Sequence, residues 1–173
     1  MTATPAAPSA VYLKDYVPPE WLIDSVRLDI DIRSDGTVVT STMDCRRNPA
    51  VVGGSDLRLD GEDLETLSVA IDGKRVQAPD CIASDDALVI HAPPARFQLE
   101  TQVRIRPDQN TQLSGFYRSK DGYFTQCEAQ GFRRITWFAD RPDVMARYTV
   151  TVHADKADFP FLLSNGNPVR SGD

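Results

Sequence analysis

Gln126 and Glu128 are the residues whose type and spacing suit ligand chemistry in this sequence. They stand two apart in Thr125-Gln126-Cys127-Glu128, so a strand would project both from one face. A carboxylate can hold a cationic group, and a primary amide beside it both donates and accepts. Spacing alone does not separate such a pair from a solvated strand face, which also carries polar residues at alternate positions. The neighbouring residues add weight. From Arg133 to Arg147 arginines mix with Asp140 and Asp143 around the aromatics Phe132, Trp137 and Phe138. That is the composition of a salt-bridged, non-repetitive loop packed on a core, which serves either function or architecture.

Other chemistries find little support. His91 and His153 are the two histidines, each ending a strand-like run, and neither opens an HExxH helix. They read as partly exposed strand histidines, and the chain by itself is expected to bind no metal. No G-x-S-x-G elbow is present. On a strand Cys127 would point away from Gln126 and Glu128, which makes it a small buried hydrophobe and not a nucleophile. Cys45, Cys81 and Cys127 are odd in number and far apart, the usage of reduced thiols in a cytosolic protein. Val52-Gly53-Gly54-Ser55 lacks the Lys-Ser/Thr of a phosphate-binding loop. A formal charge of −6 with scattered basic residues argues against nucleic acid as a partner. The N-terminus has no basic region followed by an apolar run, and no segment approaches the ~20 apolar residues of a membrane span. No membrane partner is therefore expected, and the cytoplasm is the expected location.

The elements that must position these residues are strands. A length of 173 residues fits one domain after a small, Pro-containing lead-in at residues 1–10, which is expected to be disordered. From Trp21 the dominant period is two. Val26, Leu28, Ile30 and Ile32 alternate with Arg27, Asp29, Asp31 and Arg33, and Ser34-Asp35-Gly36 turns the chain into a β-branched return over Thr37–Cys45. Leu67, Val69 and Ile71 lead to Asp72-Gly73 and a short return at Lys74–Val76. Further runs follow at Ala87–His91, Phe97–Ile105 and Tyr148–Val152. Residues 62–65 and 142–146 could each form about one helical turn, well short of an average helix. The pattern predicts an all-β sandwich of mostly antiparallel strands with short helical turns. The loop-like Ser171-Gly172-Asp173 suggests a domain boundary.

TQCEAQGFRRITWFADRPDVMARY over 125–148, with DSVRLDIDI at 24–32, LRLDGEDLETLSVAIDG at 57–73 and PFLLSNGNPV at 160–169, resembles the N-terminal domain of the bacterial aminopeptidase N family. These are zinc aminopeptidases of the gluzincin class, and the similarity covers about residues 11–170. The resemblance implies that residues 11–173 are a saddle-like N-terminal β-domain packing on a thermolysin-like catalytic domain that this chain does not contain. It implies that Gln126 lines the pocket for the first side chain of a peptide and that Glu128 holds its free α-amino group. Zinc would belong to the full-length, membrane-alanyl-type aminopeptidase. The family's zinc ligands, general-base Glu, Gly-Ala-Met-Glu-Asn motif and oxyanion-stabilising Tyr have no counterpart motif in this sequence, so no catalytic residue is expected here and the isolated chain is expected to be inert. Asp140, Pro142 and Arg147 match the family pattern and read as structural, Pro fixing a turn and Asp and Arg pairing across it. Tyr123 and Trp137 read as packing residues. The alternative is a non-catalytic β-sandwich binding module of shared ancestry.

Overall fold

Alternation builds the large sheet directly. The computed structural model describes residues 12–54 and 56–172, so the lead-in expected at 1–10 lies outside the described residues. Strand β1 (Trp21–Arg33) runs antiparallel to β2 (Gly36–Arg47) across the two-residue connection Ser34-Asp35, and Ile30 faces Val39 across the pair. Five more segments follow: β3 (Leu57–Asp60), β4 (Glu65–Ile71), β5 (Lys74–Arg75), β6 (Cys81–Ala83) and β7 (Ala87–Ile90). The last four are β8 (Arg96–Ile105), β9 (Gly115–Ser119), β10 (Gly122–Gln126) and β11 (Arg147–Ala154). They form a six-stranded sheet in the order β11-β1-β2-β8-β4-β5, a three-stranded sheet β3-β7-β6 and a two-stranded ribbon β10-β9. The all-β sandwich expected from the sequence is the fold. Pairing is antiparallel except that β11 lies parallel to β1, with Leu28 opposite Val150.

The helical turns lie elsewhere than the sequence suggests. Short 3-10 turns occur at Leu13–Asp15 and Phe132–Arg134. At 62–65 Asp63 takes a left-handed φ of 56°, which breaks a helix, and Glu65 already belongs to β4. Residues 142–146 stay irregular after the tight turn in which Val144 N–H donates to the Arg141 carbonyl at 3.1 Å.

One core joins the two larger sheets. Val26, Leu28, Val39, Met43, Leu99 and Val103 from the large sheet pack in the same cluster as Leu57, Leu59, Leu88 and Ile90 from the small one. Trp137 enters between them, 1% exposed, and its Nε1 donates to Thr66 Oγ1 at 3.0 Å. Gly61 makes this possible, because a Cβ there would occupy the space of the indole ring. Truncating so large a buried ring costs about 3–5 kcal/mol.

The loop from Cys127 to Ala146 is stitched to β3. Asp60 and Phe138 exchange backbone hydrogen bonds of 2.7 and 3.1 Å, and the Glu62 N–H donates to the Arg133 carbonyl at 3.0 Å. Asp140 Oδ2 accepts from both the N–H and the Nε of Arg133 at 3.1 Å, while the Asp140 N–H donates to Asp60 Oδ2 at 3.1 Å. Arg134 binds Glu62 and reaches Asp63 at 2.6 Å. The expected Asp140–Arg147 pairing is therefore corrected. Arg133 holds Asp140 from seven residues upstream, and Arg147 instead opens β11 in register with Ser25.

All three cysteines are free thiols, and burial, then the charges of Asp44 and Asp24, pushes Cys45 up to about 12. A thiol reagent at pH 8 should label Cys45 only as denaturant unfolds the domain; rapid labelling in buffer would refute this core. The Arg133 and Asp140 side chains are 23% and 12% exposed, so Asp140→Ala should strand a largely buried guanidinium. A loss of roughly 1–3 kcal/mol is expected in urea unfolding, and an unchanged midpoint and slope would show the pair to be idle.

Candidate substrate-contacting loop

The β9–β10 ribbon delivers Gln126. Its two faces differ in character. On one, the Tyr123 ring lies 5.6 Å from Phe116 and 5.4 Å from Phe159, with the Arg118 guanidinium 5.9 Å from its centroid. The first and last of these contacts lie within the ribbon and the one to Phe159 ties it to the segment after β11, so Tyr123 is a packing residue. On the other face Phe124 pairs across the ribbon with Tyr117, rings 6.2 Å apart, and Gln126 pairs with Gly115. Phe124 is 51% exposed, so an aromatic step adjoins Gln126 along the ribbon. Sequence reasoning missed this hairpin. Asp121-Gly122 between two alternating runs is the signal that could have found it.

Gln126 and Glu128 do not share a strand face. β10 ends at Gln126, and Glu128 lies beyond it in the turn at residues 128–131. The ladder stops because the chain must close this turn. The Gly131 N–H donates to the Cys127 carbonyl at 2.7 Å. Gly131 also approaches β10 so closely that a Cβ there would lie 2.5 Å from the Gln126 carbonyl oxygen and 2.8 Å from Ser114 Oγ. Only glycine fits such an approach without moving backbone. The peptide bond after Glu128 is cis. Gln126 Nε2 donates to the Glu128 carbonyl at 3.2 Å, so the two residues are tied by a side-chain-to-backbone bond.

Both side chains are exposed, and their partners differ sharply from those of their neighbours. Asp140 is bound by Arg133, Asp143 by Arg141, and Glu62 and Asp63 by Arg134. Among the described residues no hydrogen bond or ion pair engages the Glu128 carboxylate, so it stands as an open anionic acceptor. Cys127 is half-buried, and its thiol is pushed up by burial, then by Asp140 and Glu128, which disfavours a nucleophilic thiolate. Tyr148 packs edge-on against Phe132 at 5.8 Å. Its hydroxyl is pushed up to about 12 by burial, then by Asp140 and Cys127, and so stays a neutral group. A hollow of about 290 Å³ lined by Glu62, Gln112, Ser114, Gln130, Arg133 and Arg134 borders the same turn through Gln130.

The histidines are not drawn into this loop. His91 Nδ1 lies 2.8 Å from Asp56, and His153 Nε2 lies 3.1 Å from Asp29 on the neighbouring strand. Among the described residues no three potential ligands converge to hold a metal ion. Among the described residues the histidines and cysteines are scattered over separate segments and offer no set of donors that would fit a zinc ion. No helix of the described residues is long and apolar enough to cross a membrane.

Comparison with known proteins identifies the family of the fold. Residues 24–173 match the Peptidase M1 N-terminal domain. Aminopeptidase N of Caulobacter vibrioides is 45% identical over 167 residues, covering 95% of this chain, and that of Escherichia coli is 45% identical over 168 residues, covering 96%. The chain spans only 19% of the length of either relative. Among solved structures, Legionella pneumophila aminopeptidase A in complex with aspartic acid superposes with a TM-score of 0.83 at 29% identity, covering 89% of this chain and 18% of that one. On the extent of the family match, 24–173, and on the shared all-β fold, the chain belongs to the peptidase M1 N-terminal domain family.

Proposed function

We propose that residues 11–173 are the N-terminal domain of a zinc aminopeptidase and that this domain supplies one wall of the substrate site. Glu128 pairs with the free α-ammonium of a peptide, and Gln126 borders the pocket for the first side chain. The observation that carries this reading is the open carboxylate of Glu128, at the tip of a loop whose neighbouring carboxylates are bound by arginine. An unengaged anion held on an anchored turn is pre-organised for a cation. Once a cleft closes over it, the ammonium–carboxylate hydrogen bonds strengthen and fix the register at the chain terminus. Gln126, whose amide is already turned toward the Glu128 carbonyl, adds a polar edge beside the Tyr117–Phe124 step.

The zinc, the water it activates and the proton-transfer residues belong, in this proposal, to a catalytic domain later in the same polypeptide. When bound there the metal supplies an activated water. This chain's residues only bind and orient. The three free thiols fit a reducing compartment, and the cytoplasm is the location proposed. Action of the alanyl type on peptide N-termini is the specificity that the family resemblance favours. The competing reading is a non-catalytic β-sandwich interaction module. A reading frame that continues past Asp173 into an HExxH motif with a downstream Glu favours the enzyme, and a natural stop there favours the module.

In the full-length polypeptide, Glu128→Ala should lower kcat/KM for aminoacyl p-nitroanilides by roughly 10- to 100-fold, the worth of a charge-assisted hydrogen bond. Kinetics equal to wild type would remove Glu128 from the site. The 173-residue chain purified alone and supplied with zinc should release no p-nitroaniline, and metal-dependent turnover by it would overturn the division of labour proposed here.

A further inference from the structure

We propose that Ser41, Thr101 and Thr136 form an internal binding site for one water molecule, which ties the 127–146 loop to the centre of the large sheet. Four hydroxyl side chains, Thr37, Ser41, Thr101 and Thr136, are buried among the described residues, each at most 1% exposed. Three of them lie together. Val150, Leu28, Ser41, Thr101 and Val69 stand opposite one another in register and make one row across β11, β1, β2, β8 and β4. The middle pair of that row, on the two central strands, is polar. The inward pairs on either side of it are apolar, Met43 with Leu99 and Val39 with Val103. Thr136 reaches the polar pair from the covering loop, its Oγ1 3.5 Å from that of Thr101.

The hydrogen-bonding capacity of these hydroxyls is largely unmet. Ser41 Oγ is buried with no partner among the described residues, although Thr101 is its direct cross-strand neighbour on the same face. Side chains paired in this way have Cβ atoms ~4.5–5.5 Å apart, a span that a bridging water suits. The Thr101–Thr136 contact is itself long, since a good O–H···O bond measures about 2.7–2.8 Å. Each hydroxyl offers one proton and two lone pairs, so the three together can both donate to and accept from one central oxygen. Buried polar sites take up water on about three such bonds, whereas apolar ones stay dry. The donors favour water over a cation. All three are neutral, and no group of potential metal ligands converges among the described residues.

Thr37 supplies the contrast. It is as buried as Ser41 and equally unpartnered, but it lies four residues along β2, ~13 Å away. Its ladder neighbours are Ile32 and Ile105, so the sheet offers it no second hydroxyl. A single polar arm does not hold a water. The Ser41 site, by comparison, is enclosed by the core of this domain and is complete within the chain. Arg133 and Asp140 hold the loop by its polar edge, and the water holds it from beneath, at residue 136. The site stands independently of the aminopeptidase reading.

Oxygen-17 relaxation dispersion, recorded on the 173-residue chain and on Ser41→Val, tests the proposal. Valine suits a strand, and its methyl groups would take the place of the water. The dispersion of Ser41→Val should lack the amplitude of one long-lived water, and its urea midpoint should equal or exceed that of Ser41→Ala. In a dry, close-packed core the added methyls would overpack and raise the unfolding constant roughly tenfold. A wild-type crystal structure that resolves ordered waters should place one within hydrogen-bond reach of all three hydroxyls. A direct Ser41–Thr101 hydrogen bond with no water between them would overturn the site. Equal dispersion amplitudes, or a Ser41→Val chain less stable than Ser41→Ala, would overturn it as well.

Discussion

The Arg133–Asp140 pair is the contact on which the order of this domain's loop depends. One carboxylate oxygen takes both the backbone N–H and the side chain of Arg133, so it fixes the start of the 3-10 turn and the direction of the guanidinium together. Arg133 Nη2 then donates to the Asp140 carbonyl at 3.1 Å and lies 3.8 Å from Asp60. Both ends of the 133–140 loop are thereby tied to Asp60 of β3, more than seventy residues upstream. Exposed ion pairs contribute little, but this one is mostly shielded and satisfies the part-buried Arg133 N–H and Asp140 carbonyl of the backbone. Coulombic attraction is the smaller part of its role. Its larger part is to satisfy the polar backbone of a loop that covers a core.

What the loop covers explains why such anchoring is needed. Trp137, Phe138 and Ile135 face inward at no more than 5% exposure from a segment with almost no regular structure. A strand or helix satisfies its own backbone while burying side chains, and an irregular segment does not. Each inward aromatic is therefore matched by a polar tie, Phe138 by the Asp60 bridge and Trp137 by Thr66. The sheet beneath it is less tidy. Thr101 and Thr136 hydroxyls meet at 3.5 Å, yet Thr37 Oγ1 and Ser41 Oγ are buried with no partner among the described residues. An orphaned hydroxyl costs on the order of 1–3 kcal/mol, which the apolar contacts around it must offset.

The period-two runs were legible because each buries alternate side chains against one core. β1, β2, β4, β7 and β8 follow from local alternation and turn residues alone. The parallel docking of β11 on β1 was not legible, since nothing in Tyr148–Val152 specifies which strand it joins or in which sense. The same limit applies to Arg133, since Arg133, Arg134, Arg141 and Arg147 all lie within seven residues of Asp140 and only the folded path selects one. Residues 62–65 show the opposite failure. The single helical turn expected there is absent, with Asp63 in a left-handed conformation and Glu62 and Asp63 both paired to Arg134. Gln126 and Glu128 were legible as a pair, but their geometry was misread because strand spacing was extended past the end of the ladder.

That misreading clarifies how the pair is placed. Had β10 continued through Glu128, its side chain would stand on the same ribbon face as Phe124 and Gln126. The chain instead turns at Cys127, and the close passage of Gly131 against the Gln126 carbonyl leaves the turn little room to move. Gln126 is then placed by the ladder and Glu128 by the turn, through two independent constraints joined by one hydrogen bond. A ladder fixes a side chain to one of two faces, whereas a turn anchored at both ends can aim it elsewhere. The Glu128 carboxylate is thereby separated from the arginines that bind Asp140 and Asp143, and its negative charge remains uncompensated within the described residues. That charge is a property of the backbone path, and the path rests on Arg133 and Asp140.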